Sequence, residues 1–275
     1  MDQERLTKER EFFDHEEYSE GPIPANTIER YTQCRKPFLP VEYLFWILGD
    51  VRGKRALELG CGDGSNAVLL ALKGADVVGI DISPRAIEIA RRRAVIHGVA
   101  DHVEFRAEPL ESYLEGAHGQ FDVIYGFAVL HHLLPVLDQV MASLKRLSRD
   151  GTCFVFSEPV SLAKWLRRLR LALPVKCHST PDERPLEPED LAILRHHLPD
   201  MQVRVSGFLT RIWNRAFHGR YEDHSASWQW LYDTLSRFDT ALLSLPGFNR
   251  LASSAAIHSG SPRTAAGRRT ARQPQ

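Results

Sequence analysis

From Arg55 onward, short apolar runs alternate with segments whose apolar residues recur at helical spacing. RALELG, DVVGIDI, VEFRA, FDVIYGF and TCFVFSEP predict strands, and SNAVLLALKG, SPRAIEIARRRAVIHG and LPVLDQVMASLKRLS predict helices among them. VVGI and FVF are apolar without interruption, as strands covered on both faces are. This order predicts an α/β fold, a doubly wound and mostly parallel sheet with helices on both faces. Ser83 is placed to cap its helix, with Pro84 in the first turn.

The flanks are less regular. Between Glu4 and Tyr18, charges surround Leu6, Phe12 and Phe13, which predicts a surface helix with a few docking aromatics; EGPIPAN then breaks it, and a second helix runs from Val41. After Pro159 the chain carries a basic amphipathic segment around Trp165, a helix from about Pro188, an alternating strand MQVRVSGFL and a long helix. In that helix Trp228, Leu231, Leu235, Phe238, Leu242 and Leu245 form one stripe, for packing on the sheet or across an oligomer interface. SSAAIHS reads as a weak last strand. The expected organisation is a helical lid over 1–50, a binding core over 51–160, an acceptor-side region with a helical insertion over 161–259, and a disordered tail over 260–275.

Thirty-five basic residues balance thirty-five acidic ones, which removes the field expected of a nucleic-acid-binding chain. Cys34, Cys61, Cys153 and Cys177 form no CxxC pair, so neither a disulfide framework nor a zinc site is written here. No apolar run is long enough to span a bilayer, the N-terminus lacks a secretion-signal core, and a cytoplasmic protein is expected.

LELGCGDG joins the first strand to the first helix, at the sheet edge where such folds bind ligands. Gly60, Gly62 and Gly64 allow a tight turn and close approach, but the third glycine comes one residue too early for GxGxxG, and no Gly-Lys-Ser/Thr ending is present. Glu58 repels a pyrophosphate and attracts a cation. Asp81 ends the second strand, where an acid takes both ribose hydroxyls. A ligand with a ribose, a positive charge and no phosphate is S-adenosylmethionine.

With these residues the chain resembles the class I, seven-strand S-adenosylmethionine-dependent methyltransferases of small-molecule type. ALELGCGDG, GIDISPRAIEIAR, FDVIYGFAVLHHL and LSRDGTCFVFSEP match the motifs of its first, second, fourth and fifth strands, in order, over about Arg55 to Pro159. The resemblance implies that Glu58 lies near the amino-acid end of the cofactor and that Gly60 to Gly64 line its methionine and ribose. Cys61 is a small filler within that loop. It also implies that Asp81 holds the ribose, that Ile82 flanks the adenine, and that Glu108 in RAEPL stands where the family often has an Asp near the adenine amino group. Tyr125 and Phe127 are candidates to face the sulfonium with an aromatic ring.

Methyl transfer is an in-line displacement that needs chiefly positioning, with a base where the acceptor is a hydroxyl or an acidic carbon. His131 and His132 are the first candidates for that base and Glu158 the second; Glu158 is equally suited to capping the next turn. No metal set is completed near the adjacent histidines. GFAV lacks the Asn/Asp-Pro-Pro-aromatic run of amino-group methylation, so the expected partner is a small, apolar organic acceptor, quinone-like or a secondary metabolite, with Phe12, Phe13, Tyr18 and Tyr31 forming a lid over it. The alternatives are a non-catalytic S-adenosylmethionine-binding regulator and a nicotinamide-dependent oxidoreductase. A nucleic-acid methyltransferase has only the Arg-rich segments in its favour. A homo-oligomer is compatible with the outer helices.

Overall fold

The computed structural model describes residues 3–16, 18–163, 184–211 and 221–260. Three helices lead in: α1 (Gln3–Asp14), α2 (Ala25–Gln33) and α3 (Pro40–Leu48). Strands and helices then alternate as β1 (Arg55–Leu59), α4 (Ser65–Leu72), β2 (Asp76–Asp81), α5 (Pro84–Ile96), β3 (Val103–Ala107), α6 (Leu110–Gly116), β4 (Phe121–Phe127), α7 (Leu137–Arg146) and β5 (Ser148–Pro159). The last part holds α8 (Pro188–His197), β6 (Gln202–Ser206), α9 (Ala226–Ser244) and β7 (Ser254–Ser259).

The seven strands lie in the order β3-β2-β1-β4-β5-β7-β6. The first five pair in parallel, while β7 runs antiparallel between β5 and β6. Period-two alternation divides the core between the faces. Leu57, Leu59, Ile124, Phe154 and Phe156 pack with α6, α7 and α8, whereas Ala56, Val123, Tyr125 and Val155 pack with α3, α4 and α5. Strand order reverses about β1, so the crevice for a ligand opens beyond the carboxyl ends of β1 and β4.

Ser83 caps α5 as expected: its hydroxyl accepts from the Ala86 N–H, a contact worth about 1 kcal/mol. Gly64, the N-cap of α4 at φ 73°, is required by packing. A Cβ there would sit 2.6 Å from the Ala90 Cβ and 2.9 Å from the Phe105 ring.

Four elements depart from the sequence pattern. ANTIERYTQ forms α2, and LESYLEG forms α6, each too short to show a clear period. SSAAIHS is not a marginal strand: as β7 it is buried between two neighbours, and small residues suit that place. The stripe on α9 does not cover the sheet within this chain. Leu231, Phe238 and Leu245 are exposed, while Ser236, Asp239 and Leu243 are buried. Asp239 decides that rotation, since its carboxylate accepts the Phe208 and Leu209 N–H groups and the Thr210 hydroxyl. The basic segment around Trp165 and the tail beyond Gly260 lie outside the described residues. Among the described residues no helix is long and apolar enough to cross a membrane.

Candidate active site

Two cavities meet at the carboxyl edge of the sheet. The first, about 540 Å³, is walled by Gly60, Cys61 and Gly62 after β1, by Asp81 and Ile82 after β2, by Glu108 after β3 and by Phe127 to Val129 after β4. Asp81 is held rigidly: Oδ1 accepts the Ser83 N–H at 2.9 Å and Oδ2 the Gly62 N–H at 2.8 Å. Burial raises its pKa above the ordinary carboxylate value. Gly62, at φ 51°, opens its missing side chain toward the cavity, where only Tyr18 comes within 3.9 Å. Burial also raises the Cys61 thiol well above its usual value, so it is no nucleophile.

Carboxylates dominate this lining: Glu9, Glu16, Asp63, Asp81, Glu108 and Glu111, with no lysine or arginine among the described lining residues. A pyrophosphate is repelled by such walls and a cation is attracted.

Several expected residues stand elsewhere. Glu58 does not line the cavity. It is buried behind the loop, where its Oε2 has no hydrogen-bond partner among the described residues, and burial drives its pKa well up. Gly64 faces α5 and β3 rather than a ligand. Tyr125 is fully buried behind β4, its ring centroid 5.9 Å from that of Phe45. Phe127 alone of that pair reaches the cavity. Phe12, Phe13 and Tyr18 line the first cavity rather than the second; Tyr31 is instead stacked on Phe45.

The lid is fastened at several points. Arg5 pairs with Glu111 and donates to the His132 carbonyl; the Ser83 hydroxyl donates to Asp14 at 2.5 Å. The buried Arg93 of α5 donates to the Ser19 and Gly21 carbonyls on one side and pairs with Asp63 at 2.8 Å on the other. One guanidinium thus ties the lid connection to the glycine loop.

The second cavity, about 830 Å³, shares Phe127, Ala128 and His131 with the first. Aromatic and hydroxyl side chains such as Tyr221, Trp228, Tyr232, Ser206 and Ser254 line the rest. Nothing in the sequence pattern marks these as neighbours, because they come from the short turn at Tyr221–Asp223, from α9, from the end of β6 and from the start of β7. Ala128 holds φ 52°, a left-handed conformation uncommon for alanine, at the boundary between the cavities. Its N–H donates to the Ser157 carbonyl at 2.7 Å.

His131 sits at this junction. Its Nδ1 is 2.9 Å from Glu158 Oε2, and Glu158 Oε1 accepts the Val129 and Leu130 N–H groups at 2.9 and 2.8 Å. An ionised carboxylate only accepts, so this contact places a proton on Nδ1, and in the neutral imidazole Nε2 then holds the lone pair. Glu158 is completely buried and engaged by these donors, so it orients the imidazole instead of meeting a proton donor itself. His132 lines only the first cavity, its ring 4.0 Å from that of His131 and 5.3 Å from that of Phe13 on the lid. Among the described residues no group of three His, Cys, Asp or Glu is arranged as metal ligands.

The family described as a methyltransferase domain matches residues 30–188, more than half of the chain. The chain belongs to this methyltransferase-domain family. Its class is that of the S-adenosylmethionine-dependent, seven-strand methyltransferases, mostly parallel with the antiparallel strand β7. The domain is similar to the ubiquinone biosynthesis O-methyltransferase of Bordetella avium, 34% identical over 119 residues, which is 43% of this chain and 48% of that protein. The chain spans about half the length of the curated relatives it matches. Among solved structures, the methyltransferase domain superposes on geranyl diphosphate C-methyltransferase from Streptomyces coelicolor A3(2) with a TM-score of 0.55 at 13% identity, over 94% of this chain and 98% of that one. Haemonchus contortus phosphoethanolamine N-methyltransferase 2 gives 0.51 at 15% identity, over 90% and 59%.

The residues of the first cavity fit S-adenosylmethionine. Asp81 presents a fixed carboxylate to a ribose, Gly62 leaves room for close approach, and the carboxylate walls suit a sulfonium and an amine.

Proposed function

We propose that this chain is an enzyme that transfers a methyl group from S-adenosylmethionine to oxygen or carbon of a small organic molecule with an apolar body. The relatives named as O-methyltransferases and the neighbour named as a C-methyltransferase support that range. The single observation that carries it is His131, oriented by Glu158, at a wall common to a carboxylate-lined cavity and an aromatic one. In this reading residues 1–50 supply the lid, 51–160 the cofactor core and 161–259 the acceptor side.

When bound, S-adenosylmethionine supplies a methyl group on a sulfonium, which leaves as a neutral thioether. Asp81 would accept from the ribose hydroxyls, and Gly60, Cys61 and Gly62 would let the ligand approach the backbone. Ile82 and Glu108 would hold the adenine end, and Phe127 would offer its ring to the sulfonium. His131 Nε2 takes the proton from the accepting hydroxyl or carbon, while Glu158 stabilises the imidazolium through Nδ1. His132 packs against Phe13 and holds the lid rather than the acceptor. The aromatic wall of the second cavity and the closed lid exclude water.

Calorimetric titration with S-adenosylmethionine, S-adenosylhomocysteine and NADH tests the reading. Binding of the two sulfur ligands alone supports it, and preference for NADH restores the oxidoreductase. Asp81→Ala is expected to lower affinity for S-adenosylhomocysteine by about tenfold or more, because hydrogen bonds to a charged group are lost. Unchanged affinity would remove Asp81 from the ribose.

A further inference from the structure

The charges on the wall of the second cavity are unequal in one respect. Glu158 is consumed by His131 and two backbone N–H groups. Arg30 is consumed as well: Nε donates to Glu42 at 2.6 Å and a terminal nitrogen to Glu222 at 3.0 Å. The other arginine, Arg211, lines the same cavity and has no hydrogen-bond or ion-pair partner among the described residues.

Its placement is fixed from beneath. Asp239 of α9 accepts the N–H groups of Phe208 and Leu209 and the hydroxyl of Thr210, pinning the three residues before Arg211. Ser206 and Ser254, neighbours across the β6–β7 ladder, line the wall beside it. The carboxyl ends of β4, β5 and β6 and the start of β7 share one edge of the sheet, and three strand spacings separate β4 from β6. Arg211 therefore belongs to the end of the cavity opposite His131, with strands about 14 Å apart and side chains that reach inward.

We infer that the acceptor is an organic acid: a nucleophilic group at His131, an apolar or aromatic body against Phe127, Trp228 and Tyr232, and a carboxylate received by Arg211 with the serine hydroxyls. This rests on the methyltransferase reading and narrows its substrate class. One uncompensated guanidinium matches a monoanion, and its planar fork pairs with a carboxylate through two N–H donors. A phosphate dianion would call for a second free cation.

The test is calorimetric and needs no turnover. The full chain is first titrated with S-adenosylhomocysteine, and the loaded protein is then titrated with 4-hydroxycinnamate and separately with its methyl ester. The acid is expected to bind about tenfold tighter than the ester, and Arg211→Gln to remove that difference while leaving ester affinity unchanged. Equal response to acid and ester, absence of binding by both included, overturns the carboxylate site, as does a preference that survives Arg211→Gln. Loss of S-adenosylhomocysteine binding in the first titration would instead sink the cofactor reading, so the two failures are distinguishable. Arg211→Lys, which keeps the charge and loses the fork, is expected to retain part of the preference.

Discussion

Nδ1 of His131 lies 2.9 Å from Oε2 of Glu158, and Glu158 is itself held by the backbone of the two residues that precede His131. The residue that follows the fourth strand is thus oriented by one at the end of the fifth. Glu158→Gln keeps an acceptor but presents an amide N–H, which favours the tautomer with Nδ1 unprotonated and Nε2 blocked. The expected outcome is a fall in kcat of about a hundredfold or more with little change in KM. Equal kcat in the two proteins, measured at saturating acceptor with melting temperature as a control, would show that the pair is only structural.

The glycines of the first loop separate by function. At Gly64 an added Cβ meets Ala90 and Phe105, so Gly64→Ala is expected to destabilise the fold by about 2–4 kcal/mol through overpacking and left-handed strain. At Gly62 the space is open, so Gly62→Ala costs only about 1 kcal/mol of stability but projects a methyl group toward the ligand. Urea unfolding beside S-adenosylhomocysteine titration separates the two; the converse pattern would reverse the assignments.

Glu58 predicts a pH dependence. Burial raises its pKa well above the usual carboxylate value, so the folded chain keeps this proton to higher pH than the unfolded chain does. Between those two pKa values the folded state binds more protons, and Glu58 therefore lowers stability as pH rises through that interval. Glu58→Gln is expected to flatten the stability curve there. Unfolding at a series of pH values checks it, and a wild-type slope in the variant contradicts the account.

Residues of α1 line the first cavity, and its contact with α5 gives a test of whether α1 moves during cofactor exchange. Asp14 receives the hydroxyl of Ser83, and Ser83 also donates its N–H to Asp81. Asp14→Ala should release S-adenosylhomocysteine about fivefold faster, as one charge-assisted contact of the closed lid is lost. Stopped-flow displacement measures this rate; no acceleration would mean that the ligand leaves by another route.

The parallel half of the fold was legible because its strands are uninterrupted apolar runs and its turns carry glycine. Asp81, Gly62 and His131 were legible for the same reason, being tied to strand ends. Glu58 and Tyr125 misled because alternation puts them on the face covered by α3 and α4, behind the cavity, and a period of two does not say which face the ligand takes. The lid was visible as an aromatic segment, but its target depended on tertiary contacts such as Arg5 with Glu111. The acceptor wall was invisible: Tyr221, Trp228 and Ser206 meet only because β7 inserts between β5 and β6.

That insertion divides the two cavities along the sequence. The first cavity is walled from the first half of the chain, while the second joins residues of that half to a set that lies beyond Pro159, with Phe127, Ala128 and His131 common to both. Mutations that refashion the acceptor wall leave the glycine loop and Asp81 untouched. The wall that meets the acceptor can therefore be varied while the residues that would hold the methyl donor stay as they are.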